Sequence, residues 1–300
     1  MKLVTLRHQG AEHLGIQSDD HVVLPALSTP KEGVPRSMLS LIGAGDDGLS
    51  MLQQFSDPES TGVRIPLAEA KLLAPIPNPP ANIICLGWNY VEHIEESASA
   101  AVRDRELPEH PVVFTKAVGS VIGPLDPIPL DARFSSQWDW EVELGVIIGK
   151  TGRRITESEA MRHVFGYTVI NDISIRDVQF RHQQFFLGKS ADGACPMGPC
   201  VVTADEVPDP QALDLSCRVN GETKQASNTR YQIFGIAKTI SILSQGMTLR
   251  AGDIIATGTP SGVGFARKPP EFLKPGDVVE CEVQRIGLLR NPVIGAEDLD

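Results

Sequence analysis

The chain has 300 residues, 41% of them hydrophobic, and a formal net charge of −11. That acidic balance excludes the basic stripe of a nucleic-acid binder and speaks against docking on anionic membrane surfaces. The apolar content supports a sizeable core, yet no apolar run reaches the ~18 residues of a membrane span.

Residues 2–6 and 21–24 read as short strands. Ser37 is placed to cap a helix carrying Met38, Leu41 and Ile42, then Leu49, Leu52 and Phe55, although Gly43 and Gly45 interrupt it. Residues 67–73 carry a second, short helical signal. The segment 74–80 then holds Pro75, Pro77, Pro79 and Pro80, which neither a helix interior nor a central strand accommodates. A small N-terminal α+β domain (1–74), a proline-rich linker (75–81) and a larger second domain (82–300) are drawn from this break.

Beyond it, strand signals dominate, at 82–86, 112–115, 141–148, 166–171, 213–219, 254–257 and 278–283. Asn220-Gly221 is a hairpin turn signal, because both positions tolerate positive φ. Thr156 and Glu159 have capping-box spacing and predict a short helix through His163. Residues 229–245 predict a longer amphipathic helix with Ile233, Ile236, Ala237 and Ile240 on one side. Many strands with few helices between them indicate a β-rich α+β fold, not a doubly wound sheet. Five scattered cysteines without a CxxC suggest buried thiols of a cytoplasmic protein and argue against zinc. The first residues also lack a signal-peptide apolar core.

Several catalytic motifs are missing: the serine-hydrolase elbow, HExxH and the P-loop. The glycine-rich stretch 258–264 matches none of them and by itself suits a surface turn. The segment Asp139-Trp140-Glu141-Val142-Glu143-Leu144-Gly145-Val146 alternates at period two. As a strand it turns Trp140, Val142, Leu144 and Val146 to one face, and Glu141 and Glu143 to the other. Side-by-side carboxylates repel and raise each other's pKa unless a cation offsets them. A hard divalent ion with oxygen ligands does so. Taken alone, this segment reads first as a strand with one solvated face, where alternating charge is ordinary.

A second acid sharpens the reading. Residues 165–171 are a mostly apolar strand that runs into Asp172, with Arg176 and Gln179 following at helical spacing. Three carboxylates plus waters suit Mg2+. Near the start of the second domain, His93 and Glu96 stand three apart. On a helix they share a face, and a carboxylate there raises imidazole basicity. An exposed surface pair has the same spacing.

Together these segments resemble the fumarylacetoacetate hydrolase family, from about Asn82 to Val293. The matching elements, in order, begin with the stretch 87–96 around His93 and Glu96, then Phe114-Thr115-Lys116, then Trp140 to Lys150. The strand entering Asp172 through Gln179, Gly188-Lys189-Ser190, Val219-Asn220-Gly221, Gly252 to Gly264 and Lys274-Pro275-Gly276-Asp277 follow. The resemblance implies a β-sandwich roll with a small N-terminal domain, usually homodimeric. It implies Mg2+ or Mn2+ on Glu141, Glu143 and Asp172, with Ca2+ as a substitute in a crystal. It makes His93, Glu96 and Lys189 catalytic, with His93 and Glu96 on a lid. Arg176, Gln179, Gly258, Thr259 and Lys116 fall around the substrate, and the three basic residues Lys189, Arg176 and Lys116 supply a local positive field.

The implied activity is hydrolysis of a C–C bond in an acylpyruvate-like or 1,3-diketo acid, by His–Glu-activated water and a metal-bound enolate. A lyase on the same scaffold, an oxaloacetate-type decarboxylase or 2-keto-enoate hydratase, is the alternative. A non-catalytic keto-acid binder is the third reading. One departure stands out: Gly193 and Ala194 replace a hydroxyl and a ring usual in the family, which is expected to widen the pocket floor. Residues 1–74 show no site-like cluster, and His8, His13 and His21 read as surface residues.

Overall fold

The alternating segments join into one large mixed sheet, one smaller sheet and a two-stranded pair, 138–139 with 174–175. The computed structural model describes residues 1–28, 33–56, 62–101 and 108–299. The N-terminal strands are β1 (Lys2–His8), β2 (Ala11–Gln17), β3 (His21–Leu24), β4 (Val63–Pro66) and β5 (Lys71–Leu73). Past the prolines come β6 (Ile83–Gly87), β7 (Val112–Lys116), β8 (Val121–Ile122), β9 (Ile128–Leu130) and β10 (Trp138–Asp139). The centre holds β11 (Val142–Ile148), β12 (Val164–Asn171), β13 (Ser174–Ile175) and β14 (Cys195–Thr203). Last are β15 (Asp214–Val219), β16 (Glu222–Asn228), β17 (Ile254–Ala256), β18 (Val278–Val283) and β19 (Gly287–Gly295). The helices are α1 (Pro25–Ser28), α2 (Met38–Gln53), α3 (Val91–Ala101), α4 (Glu157–Ala160), α5 (Arg176–Arg181), α6 (Phe186–Lys189) and α7 (Ile236–Gly246).

The large sheet runs β4-β3-β2-β1-β14-β12-β11-β17-β6-β7, and the smaller one β16-β15-β18-β19-β9. β1 pairs antiparallel with β14, which puts Leu3 opposite Val201. The first strands therefore extend the same sheet that carries β11 and β12, and hydrogen bonding is continuous across the proline-rich linker. Period two separates the core into two clusters. Val142, Leu144 and Val146 join Leu215, Cys217 and Cys281 of the smaller sheet. Ile147, Ile170 and Val201 join Leu41, Ile42 and Leu52 of α2.

Ser37 caps α2 by accepting from the Ser40 N–H at 3.2 Å, and Gly45 breaks the helix with a φ of 56°. Asn220 and Gly221 both have positive φ and join β15 to β16. All five cysteines are buried thiols. Among the described residues, no helix is long and apolar enough to cross a membrane.

Three local expectations give way to tertiary contacts. Residues 67–73 form a 3-10 turn (Leu67–Glu69) and then β5, because Leu72 finds a partner opposite Leu6 on β1. The long helix expected from 229 starts only at Ile236. Asn89 accepts from the Phe234 N–H at 2.8 Å and donates to its carbonyl at 3.0 Å, which draws that segment out of helical geometry. Thr156 spends its hydroxyl on the Glu159 carboxylate at 3.1 Å instead of capping backbone, and the turn passes into a 3-10 segment, Met161–His163. β14 was not anticipated, since it contains Pro196 and Pro199. It is tolerated beside a register shift in its pairing with β12.

Candidate active site

Antiparallel pairing brings the start of β11 to the end of β12. Val142 stands opposite Asn171, and the Asp172 N–H donates to the Glu141 carbonyl at 2.9 Å. Glu141 and Asp172 thus flank the same sheet end, with Glu143 one step in. Each of Glu141, Glu143 and Asp172 offers an oxygen, and these atoms lie within 4.8 Å of one another, all on buried residues. The Gly258 N–H donates to Glu143 Oε2 at 2.7 Å. Gly258 has a φ of 93°, and a Cβ there would stand 2.7 Å from the Asn89 Cβ, so only glycine allows this approach.

The cations come from distant parts of the chain. Lys189, on α6, donates to Glu141 Oε2 and Asp172 Oδ2, both at 2.8 Å. Lys116, on β7, donates to Asp172 Oδ1 at 2.6 Å and to the Ile173 carbonyl at 3.0 Å. Arg176, at the start of α5, sets Nε on Asp139 Oδ2 and Nη1 on Glu141 Oε1, each at 2.7 Å. Its Nη1 also reaches Gln179 Oε1 at 3.0 Å. Arg176 Nη2 is buried and has no partner among the described residues.

Four buried carboxylates, Asp139, Glu141, Glu143 and Asp172, therefore face three buried cations, Lys116, Arg176 and Lys189. One negative charge is in surplus. The surplus falls on Glu143, whose carboxyl is pushed well up by burial and then by the charges of Asp172 and Glu141. Burial also opposes ionisation of Glu141, but Lys189, Arg176 and His93 outweigh it and hold that carboxyl low. Lys189 is raised, because Asp172 and Glu141 overcome its desolvation. Three hard oxygen donors with excess negative charge fit a divalent cation of the Mg2+ or Mn2+ kind.

His93 and Glu96 lie on α3. Glu96 Oε2 accepts from the Gly262 N–H at 2.6 Å, and Ser261 Oγ donates to Glu92 Oε2 at 3.3 Å, so two acids fasten α3 to the glycine-rich stretch. Burial raises the Glu96 carboxyl against the N–H groups of Gly262 and Val263.

A narrow cleft opens over this centre. His93, Glu141, Arg176, Gln179, Lys189 and Thr259 line it. Glu143, Asp172, Lys116 and Gly258 stand behind that lining and hold it in place, and Glu96 lies off it. Gly193 and Ala194 also lie away from the cleft, so the expected widening of its floor does not occur. Ala194 is buried, and a Cβ on Gly193 would strike Pro129 Cδ at 2.3 Å. Sequence reasoning missed Asp139, which accepts from Arg176, from the Gly264 N–H at 2.7 Å and from the Phe265 N–H at 3.0 Å. The signal was available: Asp139 stands two residues before Glu141, in step with Glu143. It also missed two ring clusters on the cleft, Trp88–Phe185–Phe114 and Phe180–Phe265.

Residues 82–294 match the family described as fumarylacetoacetate (FAA) hydrolase, C-terminal. The chain belongs to the fumarylacetoacetate hydrolase family. The resemblance and the strand-rich α+β fold expected with it are thereby established. The chain is 42% identical to oxaloacetate tautomerase YisK of Bacillus subtilis, over 98% of this chain and 100% of that one. Against human mitochondrial oxaloacetate tautomerase FAHD2A, identity is 39% over 98% of this chain and 92% of the other. A fumarylacetoacetate hydrolase from Exiguobacterium antarcticum superposes with a TM-score of 0.81 at 38% identity, covering 98% and 99% of the two chains. Maleylpyruvate hydrolase from Sphingobium sp. SYK-6, in complex with manganese and pyruvate, superposes at 0.78 with 30% identity and the same coverage. These family relatives are enzymes of small keto acids.

Proposed function

We propose that this protein is a divalent-metal-dependent enzyme that interconverts the enol and keto forms of an oxaloacetate-type 2-keto acid. One observation carries the reading: Glu141 of the three-carboxylate cluster and Arg176, whose buried Nη2 has no partner among the described residues, line one cleft. A divalent cation held by Glu141, Glu143 and Asp172 would supply Lewis-acid charge for the acid's carboxylate and 2-keto oxygens. Arg176 and Gln179 bind the far carboxylate. Asp139 and Glu141 lock the guanidinium, so its remaining donors are oriented before substrate arrives. The Lys189 ammonium stabilises negative charge on the carbonyl oxygen as C3 loses its proton. His93 takes that proton from C3 and delivers it to the oxygen to give the enol, the reverse transfer giving the keto form, and Glu96, one turn along α3, stabilises the imidazolium in between. The names of the two full-length tautomerase relatives support this choice.

Hydrolysis of an acylpyruvate C–C bond is the second reading. It is favoured by His93 in the cleft together with a Glu96 carboxyl raised by burial, a pair suited to activating water. It is also supported by the likeness to maleylpyruvate hydrolase.

The test follows the ultraviolet absorbance of enol-oxaloacetate with Mg2+ or Mn2+, then with chelator, against enzyme-free blanks; acetylpyruvate is run in parallel. Acceleration that chelation removes and metal restores is expected. A rate indifferent to chelation would overturn the proposal. Acetylpyruvate cleavage without tautomerisation would select the second reading.

A further inference from the structure

We propose that Trp88 sets the size of the substituent that the cleft admits on its keto acid. The inference rests on the keto-acid reading above and adds to it a residue that selects among such acids.

Trp88 has a φ of 53°, a left-handed conformation that bulky residues rarely adopt. Such a conformation persists only where the surroundings over-determine it. Here they do. On one side, Gly87 is paired with Val112 at the end of β6. On the other, the fully buried Asn89 side chain donates to the Phe234 and Thr257 carbonyls at 3.0 and 2.8 Å and accepts from the Phe234 N–H at 2.8 Å. Gly258 leaves no slack, since it packs against Asn89 at a distance a side chain could not share. The indole is therefore carried by a clamped backbone.

From this position Trp88 lines the cleft and meets the Phe185 ring edge-on, with centroids 5.6 Å apart. Phe185 meets Phe114 at 5.5 Å, and the Lys189 ammonium lies 5.0 Å from the Phe114 centroid. Three rings thus form an unbroken apolar wall that starts at the proposed carbonyl-stabilising lysine and ends at Trp88. A substituent leading away from the carbonyl along this wall reaches Phe114 and Phe185 first, and then the indole. Short acids fit beneath it, whereas longer or aromatic acyl groups collide with a ring that starts from a fixed backbone position and packs edge-on against Phe185.

The test compares wild-type, Trp88→Gly and Trp88→Phe protein with Mg2+, using acetylpyruvate and benzoylpyruvate as substrates. Glycine is at home at positive φ, so Trp88→Gly retains the fold, and thermal melting checks this. The ratio of kcat/KM for benzoylpyruvate over acetylpyruvate should rise at least about tenfold in Trp88→Gly, the scale on which pocket size discriminates. Trp88→Phe, which keeps a ring, should stay near wild type. An unchanged ratio, or an equal fall for both acids, overturns the proposal. If no variant turns over either acid, the hydrolytic reading fails while the enol-oxaloacetate assay still judges the proposed function, and calorimetric binding of pyruvate and phenylpyruvate judges the wall alone. A selective gain of roughly tenfold for phenylpyruvate in Trp88→Gly supports it. An equal change for both ligands, or no binding of either, overturns it.

Discussion

Glu141-Val142-Glu143 and Glu280-Cys281-Glu282 are the same local pattern, two acids flanking an apolar residue on a strand. On β18 the neighbouring strands answer each acid at once. Arg218 and Arg290 stand opposite Glu280 in register, and Arg218 Nε and Nη1 lie 3.2 and 3.1 Å from Glu280 and Glu282. Those acids remain 21% and 48% exposed, so water screens what the arginines leave. At β11 the register offers Asn171 and Ile170 and leads straight to a third acid, Asp172. The balancing cations arrive from β7, α5 and α6, and they fall one short. A charge ladder on the surface is closed by its own sheet. A site gathers its charges from distant segments and keeps an imbalance that a ligand can relieve.

The largest expected effect separates the two Glu pairs most sharply. Glu141→Ala should abolish Mg2+ or Mn2+ binding by calorimetry and, with it, metal-dependent turnover. Because Lys189 and Arg176 would lose a buried counter-charge, stability should also fall by about 3–5 kcal/mol in denaturant titration. Unchanged metal affinity would sink the assignment. Next, Arg176→Lys keeps the charge but loses the fork held by Asp139 and Glu141. KM for oxaloacetate should rise roughly 10–100-fold, the worth of about 1.5–3 kcal/mol for a charged hydrogen bond. A fall in kcat alone, with KM unmoved, would contradict a binding role.

A subtler effect concerns pH. A base acts when deprotonated, and burial raises the Glu96 pKa. Acylpyruvate hydrolysis should therefore fade as pH drops through a value above the ordinary glutamate range, earlier than an exposed carboxylate would allow. Glu96→Gln should lower kcat by about 100-fold and flatten that acid limb of the pH–rate profile. A limb unchanged in the variant would assign it to another group. The smallest effect is expected at the other pattern. Glu282→Ala should cost less than about 1 kcal/mol and shrink further in salt, with metal affinity unaltered. A large loss there would erase the contrast between the two strands.

The period-two alternation around Glu141 and the apolar approach to Asp172 were legible because they are local: backbone geometry repeats every two residues whatever lies beyond. The i, i+3 spacing of Arg176 and Gln179 was legible for the same reason, and their contact follows from it. Asp139 was within reach, since it continues the alternation, yet a carboxylate that serves a guanidinium looks the same in sequence as one that faces water. The helix expected from residue 229 failed because periodicity cannot register a distant competitor, and Asn89 takes the backbone of Phe234 at a separation of 145 residues.

By itself, then, the sequence determined that β11 and β12 would form, which of their faces would be apolar, and that three acids would stand at their ends. Its ordered motifs also determined the family. Only the tertiary structure decided that Lys116, Arg176 and Lys189 converge on those acids, that they leave one negative charge over, and that Trp88 is clamped at the end of an aromatic wall. It also carried the N-terminal strands into the same sheet past four prolines. The physical reason is one of range. Propensity and periodicity act over a turn or a strand, whereas charge balance and ring packing are set by segments whose meeting depends on strand register across the whole sheet.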